Sequence, residues 1–492
     1  MRRSLVLKLG QAAVAAMAAA CSILFTAGNA RAARGADADA ARRAVASTST
    51  SASVQSMACP LAGSCTAGGF FLDRAGHQQA FVISERRSTW GKAIEVPGTG
   101  DLNAGGNAQV VSVSCTSLSD CAAAGFYTDG SNAVQAFVAS EQNGVWARAI
   151  EVPGSGVLNV AGNARILSVS CASPGNCGAG GFYTLPLGRV GSQQPFVVSE
   201  KHGVWGKAIE VPGFTSANVV EGSVGSVSCA SASNCGAAGS FEGSSFRTQA
   251  FVVSEQSGHW RGAIEVPGST ALNAGGLAVA NSVSCSSAGN CGAGGFYTDR
   301  SGHEQAFVVS EMAGHWDRAI EVPGSAALNA GGLAAANSVS CSSAGNCGAG
   351  GFYSSRGLAV QAFVVSETNG HWRKAIEVPG TRALNASGRA RVNSVSCAPA
   401  GDCAAGGSYL DRSGHQQAFV VSERDGTWGK AIEVPGTAAL NRGGMAVVNE
   451  VSCASLGNCG AGGSYSVSTG RSPAFVVNEK GGTWGKAQTV GF

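Results

Sequence analysis

From Asn281 to Gly324 the chain alternates short apolar runs with clusters of Gly, Asn and Ser, and four strands can be read from it. Strand a is Ser282-Val283-Ser284-Cys285, and strand b runs from Cys291 through Phe296-Tyr297. Strand c, Gln305 to Ser310 (QAFVVS), is apolar on both faces apart from its ends, the pattern of a strand covered on both sides. Strand d, Trp316 to Val322, stops at Pro323-Gly324, where a proline suits the end of an edge strand. Helical periodicity is absent throughout.

This unit recurs. Sixteen of the 17 cysteines fall in C-x5-C pairs at Cys59/Cys65, Cys115/Cys121, Cys171/Cys177, Cys229/Cys235, Cys285/Cys291, Cys341/Cys347, Cys397/Cys403 and Cys453/Cys459. Successive first cysteines are 56 residues apart, with one interval of 58. One four-stranded sheet of this length cannot bury both faces alone, so the copies must stack. The expectation is an all-β fold, an eight-bladed β-propeller of four-stranded antiparallel blades over residues 53–492. A string of eight disulfide beads is the rival, and each bead would have almost no core.

Composition adds the compartment. The chain is 492 residues long, 44% hydrophobic and 13% charged, too apolar and too weakly charged for a disordered polymer. Residues 1–10 (MRRSLVLKLG) carry three positive charges, residues 11–27 are almost wholly apolar and small, and Gly28-Asn29-Ala30 and Ala30-Arg31-Ala32 offer small-x-small cleavage sites. Residues 1–32 therefore read as a secretory signal, and residues 33–52 as a flexible spacer. Lipidation at Cys21 is the competing reading of the leader, but the apolar run continues past it through Ile23, Leu24 and Phe25. Removing the leader takes Arg2, Arg3, Lys8 and Arg31 from the 33 bases, which leaves them one short of the 30 acids. That balance gives no footprint for nucleic acid or an anionic membrane, and no further membrane span is expected. The mature chain reads as secreted and monomeric.

In an exported chain each C-x5-C reads as a disulfide across the a–b turn. Structural zinc needs four ligands, and no histidine or further cysteine recurs beside the pairs. All eight tryptophans, Trp90 to Trp484, follow the turn between strands c and d, where packing between blades competes with a ring of sugar platforms. The six tyrosines share one position on strand b, which Phe71 and Phe241 fill in the other two copies.

The order SVSC…CGAGG…QAFVVSE-x-x-G-x-W resembles the bacterial neuraminidase repeat and its Asp-box propeller relatives, and also repeats of secreted actinobacterial proteins of unassigned role. Ser422 to Trp428 resembles a shortened Asp-box turn, although Arg87, Asn143, His202, Ser257, Ala313, Asn369, Asp425 and Gly481 show no consistent aspartate. The resemblance implies a propeller, and it admits a glycan hydrolase. Such an enzyme needs three arginines, a Tyr/Glu nucleophile pair and an acid/base Asp that interrupt the repeat. Here the glutamates of every Ser-Glu pair, Glu85 to Glu479, and seven further glutamates from Glu95 to Glu433 recur with the repeat, as scaffold residues do.

No catalytic residue, metal ligand or cofactor motif is therefore singled out. The candidate binding residues lie in the b–c and d–a loops, which share one face of a propeller. Leu-Asn recurs in six of seven d–a linkers, giving Asn103, Asn159, Asn273, Asn329, Asn385 and Asn441, and three b–c loops pair Asp73 with His77, Asp299 with His303 and Asp411 with His415. Asn and Gly also suit turns for purely local reasons. The expected function is a non-enzymatic binding or scaffold module, multivalent for an extracellular glycan, cell-wall polymer or protein. A neuraminidase-type hydrolase and a purely structural surface protein are the alternatives.

Overall fold

Eight antiparallel sheets succeed one another along the chain, each built wholly from consecutive residues. The computed structural model describes residues 51–186, 192–215, 219–399 and 401–492. The export signal and all but the end of the spacer expected from the sequence lie outside the described residues. The first strands of blades 1 to 8 are Ala52–Leu61, Gln109–Ser117, Arg165–Ser173, Glu221–Ser231, Ala278–Ser287, Ala334–Ser343, Arg391–Cys397 and Ala446–Ser455. In blade 5 strand b is Asn290–Thr298 and strand c is Glu304–Met312. The protein is an eight-bladed β-propeller.

Strand d departs from the expected continuous run. In blade 5 it is two short pieces, His315–Trp316 and Ile320–Glu321, both paired with strand c. Between them the chain leaves the sheet, and the Ala319 N–H donates to the Pro267 carbonyl of blade 4 at 2.7 Å. Ala149, Ala208, Ala263, Ala375, Ala431 and Ala487 donate in the same way to Pro97, Pro153, Pro212, Pro323, Pro379 and Pro435. The break thus exchanges an intrasheet bond for one between blades.

Strands a surround the axis and are stitched to one another by the serines of the SVSC motif. Ser282 Oγ accepts from Val339 N at 3.0 Å, and Ser284 Oγ accepts from Cys341 N at 2.9 Å. The second bond also closes the ring, with Cys59 N donating to Ser452 Oγ across blades 8 and 1 at 2.9 Å. Each strand a carries a bulge, between Ala280 and Ser282 in blade 5, that brings a carbonyl against strand b. At Gly295 a Cβ would collide with the Val279 carbonyl oxygen, and the glycines at the same place in the other seven blades face the same obstruction. Only glycine fits there.

All eight C-x5-C pairs form disulfides. These bridges across the a–b turns also reach into the interfaces between blades. Cys121, Cys177, Cys347 and Cys403, the strand-b partners in blades 2, 3, 6 and 7, are buried. The physical reason is register: each stands directly opposite its partner (Cys115, Cys171, Cys341 or Cys397) inside the strand ladder, so the sulfurs face the neighbouring blade. The Cys347 sulfur lies over Gly292 of blade 5 and that of Cys403 over Gly348 of blade 6. Cys121 Sγ is 3.6 Å from Thr66 Oγ1 of blade 1, and Cys177 packs in a core cluster with Ala122 and Ala124 of blade 2. The sulfurs of Cys285 and Cys291 likewise lie over Gly236 of blade 4.

The Asp-box-like segment is a two-residue hairpin turn, with Asp425 at φ 49° and Gly426 at φ 72°, the left-handed pair that a type I′ turn demands. Each Leu-Asn linker begins with a single helical turn, such as Ser325–Leu328. Its leucine packs into the core of the following blade beside that blade's tyrosine, as Leu328 does with Tyr353.

Candidate functional site

Most residues that looked chemically able turn out to tie blades together. In the Ser-Glu pairs the serine of one blade serves the next: Ser199 Oγ donates to Glu255 at 2.8 Å and accepts from Trp260 Nε1 at 3.0 Å. The same three-way tie joins Ser310 to Glu367 and Trp372, and Ser366 to Glu423 and Trp428. The glutamates are buried, and burial pushes their carboxyls up, Glu141 to about 7. The tryptophans are consumed by packing and by these bonds. At the junction of blades 8 and 1 Asn478 replaces the serine and donates to Glu85, leaving Trp90 Nε1 without a partner.

The tyrosines are paired likewise. Tyr127, Tyr297, Tyr353 and Tyr409 donate to Glu151, Glu321, Glu377 and Glu433 of their own blades at 2.8–3.1 Å, and Tyr183 donates to Glu210. Burial, with the carboxylate beside it, pushes these phenols well above their ordinary range. A nucleophilic tyrosine needs the opposite shift.

The six linker asparagines are buried, Asn273 completely. Asn329 Nδ2 donates to the Glu304 carbonyl and to Gln305 Oε1, both at 2.8 Å, while its Oδ1 accepts from Leu333 N at 2.8 Å. Asn103, Asn159, Asn385 and Asn441 repeat its donor half, as does Asn273, whose Oδ1 accepts from Gly276 N. The Oδ1 atoms of Asn103, Asn159 and Asn385 also accept from the backbone four residues on. The structure thus places them beneath the surface as clamps between a linker and the preceding blade, with their polar atoms occupied. Leu-Asn spacing alone does not separate a clamp from a surface contact, because both put asparagine in a turn.

The aspartates of the b–c loops also do local work. Asp299 Oδ1 accepts from Ser301 N at 2.8 Å and His303 N at 3.0 Å, and its Oδ2 accepts from Gln305 Nε2 at 3.1 Å. Asp73 and Asp411 are held in the same way. The Gln79 amide and loop N–H groups hold the Asp73 carboxyl below its ordinary value. Partial burial opposes the same effect at Asp299 and Asp411 without reversing it. The histidines are different: His77, His303 and His415 are 59%, 57% and 58% exposed, with Nδ1 3.6–3.8 Å from the loop aspartate. Asp129 forms the same turn in blade 2 without a histidine, so the aspartate builds the loop and the histidine decorates it.

The b–c and d–a loops lie together on one face, joined by parallel bridges such as Glu304 to Leu333. At its axial rim the repeat breaks down. One strand-a position holds Ser53, Gln109, Arg165, Ser223, Val279, Ala335, Arg391 and Val447 in blades 1 to 8. Arg165 lies over the Phe126 ring at 4.1 Å and Arg391 over Phe352 at 4.3 Å, each stacked on the preceding blade. Blades 5 and 6 present an apolar cluster of Val279, Phe296, Ala335 and Phe352, and blade 4 brings two acids, Glu221 and Glu242, whose carboxyls burial raises. Further down the inner strands Glu450 replaces the serine of other blades. It accepts from Ser394 Oγ at 2.9 Å, and its confinement pushes it up to about 7.

On the opposite, disulfide face a cavity of about 310 Å³ opens between blades 4 and 5, lined by Glu255, Gln256, Glu311 and cysteines of both neighbouring disulfides. Cys177, Cys347 and Cys403 lie away from it in the cores between other blades, and Cys121 is buried against Thr66 of blade 1, so these cysteines hold the fold and offer a ligand no contact there. At other junctions the side chain at the Gln256 position reaches across, as Lys201 Nζ does to the Gly258 carbonyl at 3.1 Å. Among the described residues no three His, Cys, Asp or Glu side chains converge as metal ligands, and no helix is long and apolar enough to cross a membrane.

No protein-family profile and no curated protein matches the chain. Among solved structures it is similar to a Hadza microbial sialidase, at 10% identity and TM-score 0.38, with 73% of each chain covered. It is similar to an ulvan-degrading polysaccharide lyase at 10% identity and TM-score 0.39, covering 76% of this chain and 81% of that one. It also resembles the β-propeller domain of the Trilobed protease from Pyrococcus furiosus, at 7% identity and TM-score 0.41, covering 89% and 98%.

Proposed function

We propose that this chain is an extracellular, non-enzymatic binding propeller that takes up a glycan or cell-wall polymer on the face formed by its b–c and d–a loops. One observation carries the reading: side chains with the chemistry of catalysis are engaged as ties between or within blades, whereas the axial rim of that one face carries arginines, acids and an apolar cluster that the repeat does not require. At one rim position five residue types, Ser, Gln, Arg, Val and Ala, stand in the eight blades. The exposed His77, His303 and His415, each on the same aspartate-built loop, supply repeated contacts of the kind that gain from avidity. Eight disulfides suit an oxidising compartment. The hydrolase alternative loses support from the Tyr–Glu pairs, because each tyrosine is buried with its phenol held protonated beside the carboxylate.

The test is an array of glycans and cell-wall polymers probed with the non-reduced mature protein, run beside a fluorogenic glycosidase panel. Capture without turnover is the expected result. Turnover overturns the non-enzymatic reading, and an array on which nothing is captured favours a purely structural protein.

A further inference from the structure

The eight blades act as internal controls for one another. Ser, Val and Ala fill the rim position in blades 1, 4, 5, 6 and 8, so the fold does not require a long cation there. Arg165 and Arg391 nevertheless occupy it in blades 3 and 7, which face each other across an eight-membered ring. Neither guanidinium forms an ion pair among the described residues. Among the described residues Arg165 makes one side-chain hydrogen bond, from Nε to Asn163 Oδ1 at 3.3 Å, and Arg391 makes none. Each is half-buried, and burial lowers its proton affinity, a sign of a cation whose solvation has not been replaced. Glu304, which attracts Arg391, stays beyond ion-pair distance, and its own carboxyl is raised. Each guanidinium carbon lies over a ring, Phe126 or Phe352, and among the described residues its terminal N–H groups have no hydrogen-bond partner. That arrangement matches the two oxygens of a carboxylate or sulfate.

We propose that Arg165 and Arg391 form a pair of oxyanion-binding sites at the rim of the propeller axis, and that the polymer taken up there is an acidic polysaccharide bearing carboxylate or sulfate groups. This rests on the binding function proposed above and adds the ligand's charge. A mature chain near neutrality cannot attract a polyanion as a whole, so the charged contacts come from these two groups, beside the apolar wall of blades 5 and 6 and in addition to the histidine contacts proposed above.

The experiment titrates the non-reduced mature protein with polygalacturonate oligomers, with dextran sulfate and with neutral dextran, at low salt and at high salt. Variants are Arg165→Ser, Arg391→Ser and the double replacement, with Arg148→Gln as the control for an exposed arginine elsewhere. Serine already stands at this position in blades 1 and 4, so the variants keep the fold, and a melting curve verifies it. The expected result is binding of one or both acidic polymers, about tenfold weaker in each single variant, lost in the double, and unchanged in Arg148→Gln. The carboxylate and sulfate arms decide which oxyanion is preferred. Acidic-polymer binding that ignores both replacements, or that falls equally in Arg148→Gln, overturns the assignment. Capture of neutral polymers alone overturns it and leaves the binding function standing, whereas capture of nothing overturns both.

Discussion

Phe492 lies 4.8 Å from Phe71, ring centroid to ring centroid, and Phe214 stands in the same relation to Phe241 at 4.7 Å. Blades 1 and 4 are the two in which phenylalanine replaces the strand-b tyrosine, and no Leu-Asn linker leads into either. At the other six junctions a linker leucine meets a tyrosine. At these two, a phenylalanine from the preceding segment meets a phenylalanine and completes a trio with Phe81 or Phe251. The substitutions are coupled across each junction, and at blade 1 the coupling closes the ring.

Phe492→Ala is therefore expected to loosen the junction of blades 8 and 1. Phe492 is 44% exposed, so the loss falls below that of a fully buried phenylalanine, about 1–2 kcal/mol. Hydrogen exchange should rise in Ala52–Leu61 and Ala446–Ser455 and stay unchanged in blades 4 and 5. A uniform rise around the ring would refute a localised seam.

Stability should rise on mild acidification. Burial raises the carboxyls of Glu85, Glu141, Glu200, Glu255, Glu311, Glu367, Glu423 and Glu479 in the folded protein. The folded state thus holds protons that the unfolded chain has released, and this contribution is complete below the ordinary glutamate value of 4.5. It is lost as the pH climbs through the folded values, about 7 for Glu141 and Glu450. The lowered Asp73, Asp129, Asp299 and Asp411 act in the opposite sense, and only below about pH 4. Melting temperature should be several degrees higher at about pH 5 than at about pH 8; a value that climbs over that interval contradicts the account.

The bridge in blade 5 closes a short ring, for which loop entropy gives about 2 kcal/mol. Because the Cys285 and Cys291 sulfurs also pack on Gly236, their loss should reach the neighbouring blade. Cys285→Ser with Cys291→Ser should lower the melting temperature and increase exchange at Asn234–Glu242 of blade 4. An effect confined to blade 5 would show that the bridge acts on its own turn alone.

Gly295→Ala tests the close approach at the bulge. The new methyl meets the Val279 carbonyl, a backbone atom that cannot step aside, so a loss of about 2–3 kcal/mol is expected. Gly302→Ala is the comparison: at φ 83° with open space around it, it should cost about 1 kcal/mol from backbone conformation alone. Equal losses in urea denaturation would remove steric contact as the cause.

The sequence carried the architecture because cysteine spacing fixed the number of blades and the QAFVVSE run fixed the strand covered on both sides. Strand d was legible only as one run, since the Ala319 N–H to Pro267 carbonyl bond that breaks it joins residues of different repeats. The burial of Cys347 against Gly292 was hidden for the same reason: spacing shows which cysteines bond, and only blade stacking shows what their sulfurs touch. The asparagines and the rim show this limit from opposite sides. Asn329 stood out by recurring, and recurrence marks a clamp as readily as a contact. Arg165 and Arg391 are not legible in the repeat because their position varies from blade to blade, and only strand register aligns them with Ser53 and Val279.

On the proposed function, recurring residues hold the propeller and divergent or exposed residues on one face bind. The most direct measurement sets two variants side by side, Asn329→Ala and the triple replacement His77→Ala, His303→Ala and His415→Ala, recording melting temperature and polymer capture per folded molecule. Losing the buried asparagine should cost about 1–3 kcal/mol and leave capture unchanged, while the triple variant should melt normally and lose capture. The reverse pattern, with capture lost in Asn329→Ala and retained without the histidines, would contradict the account.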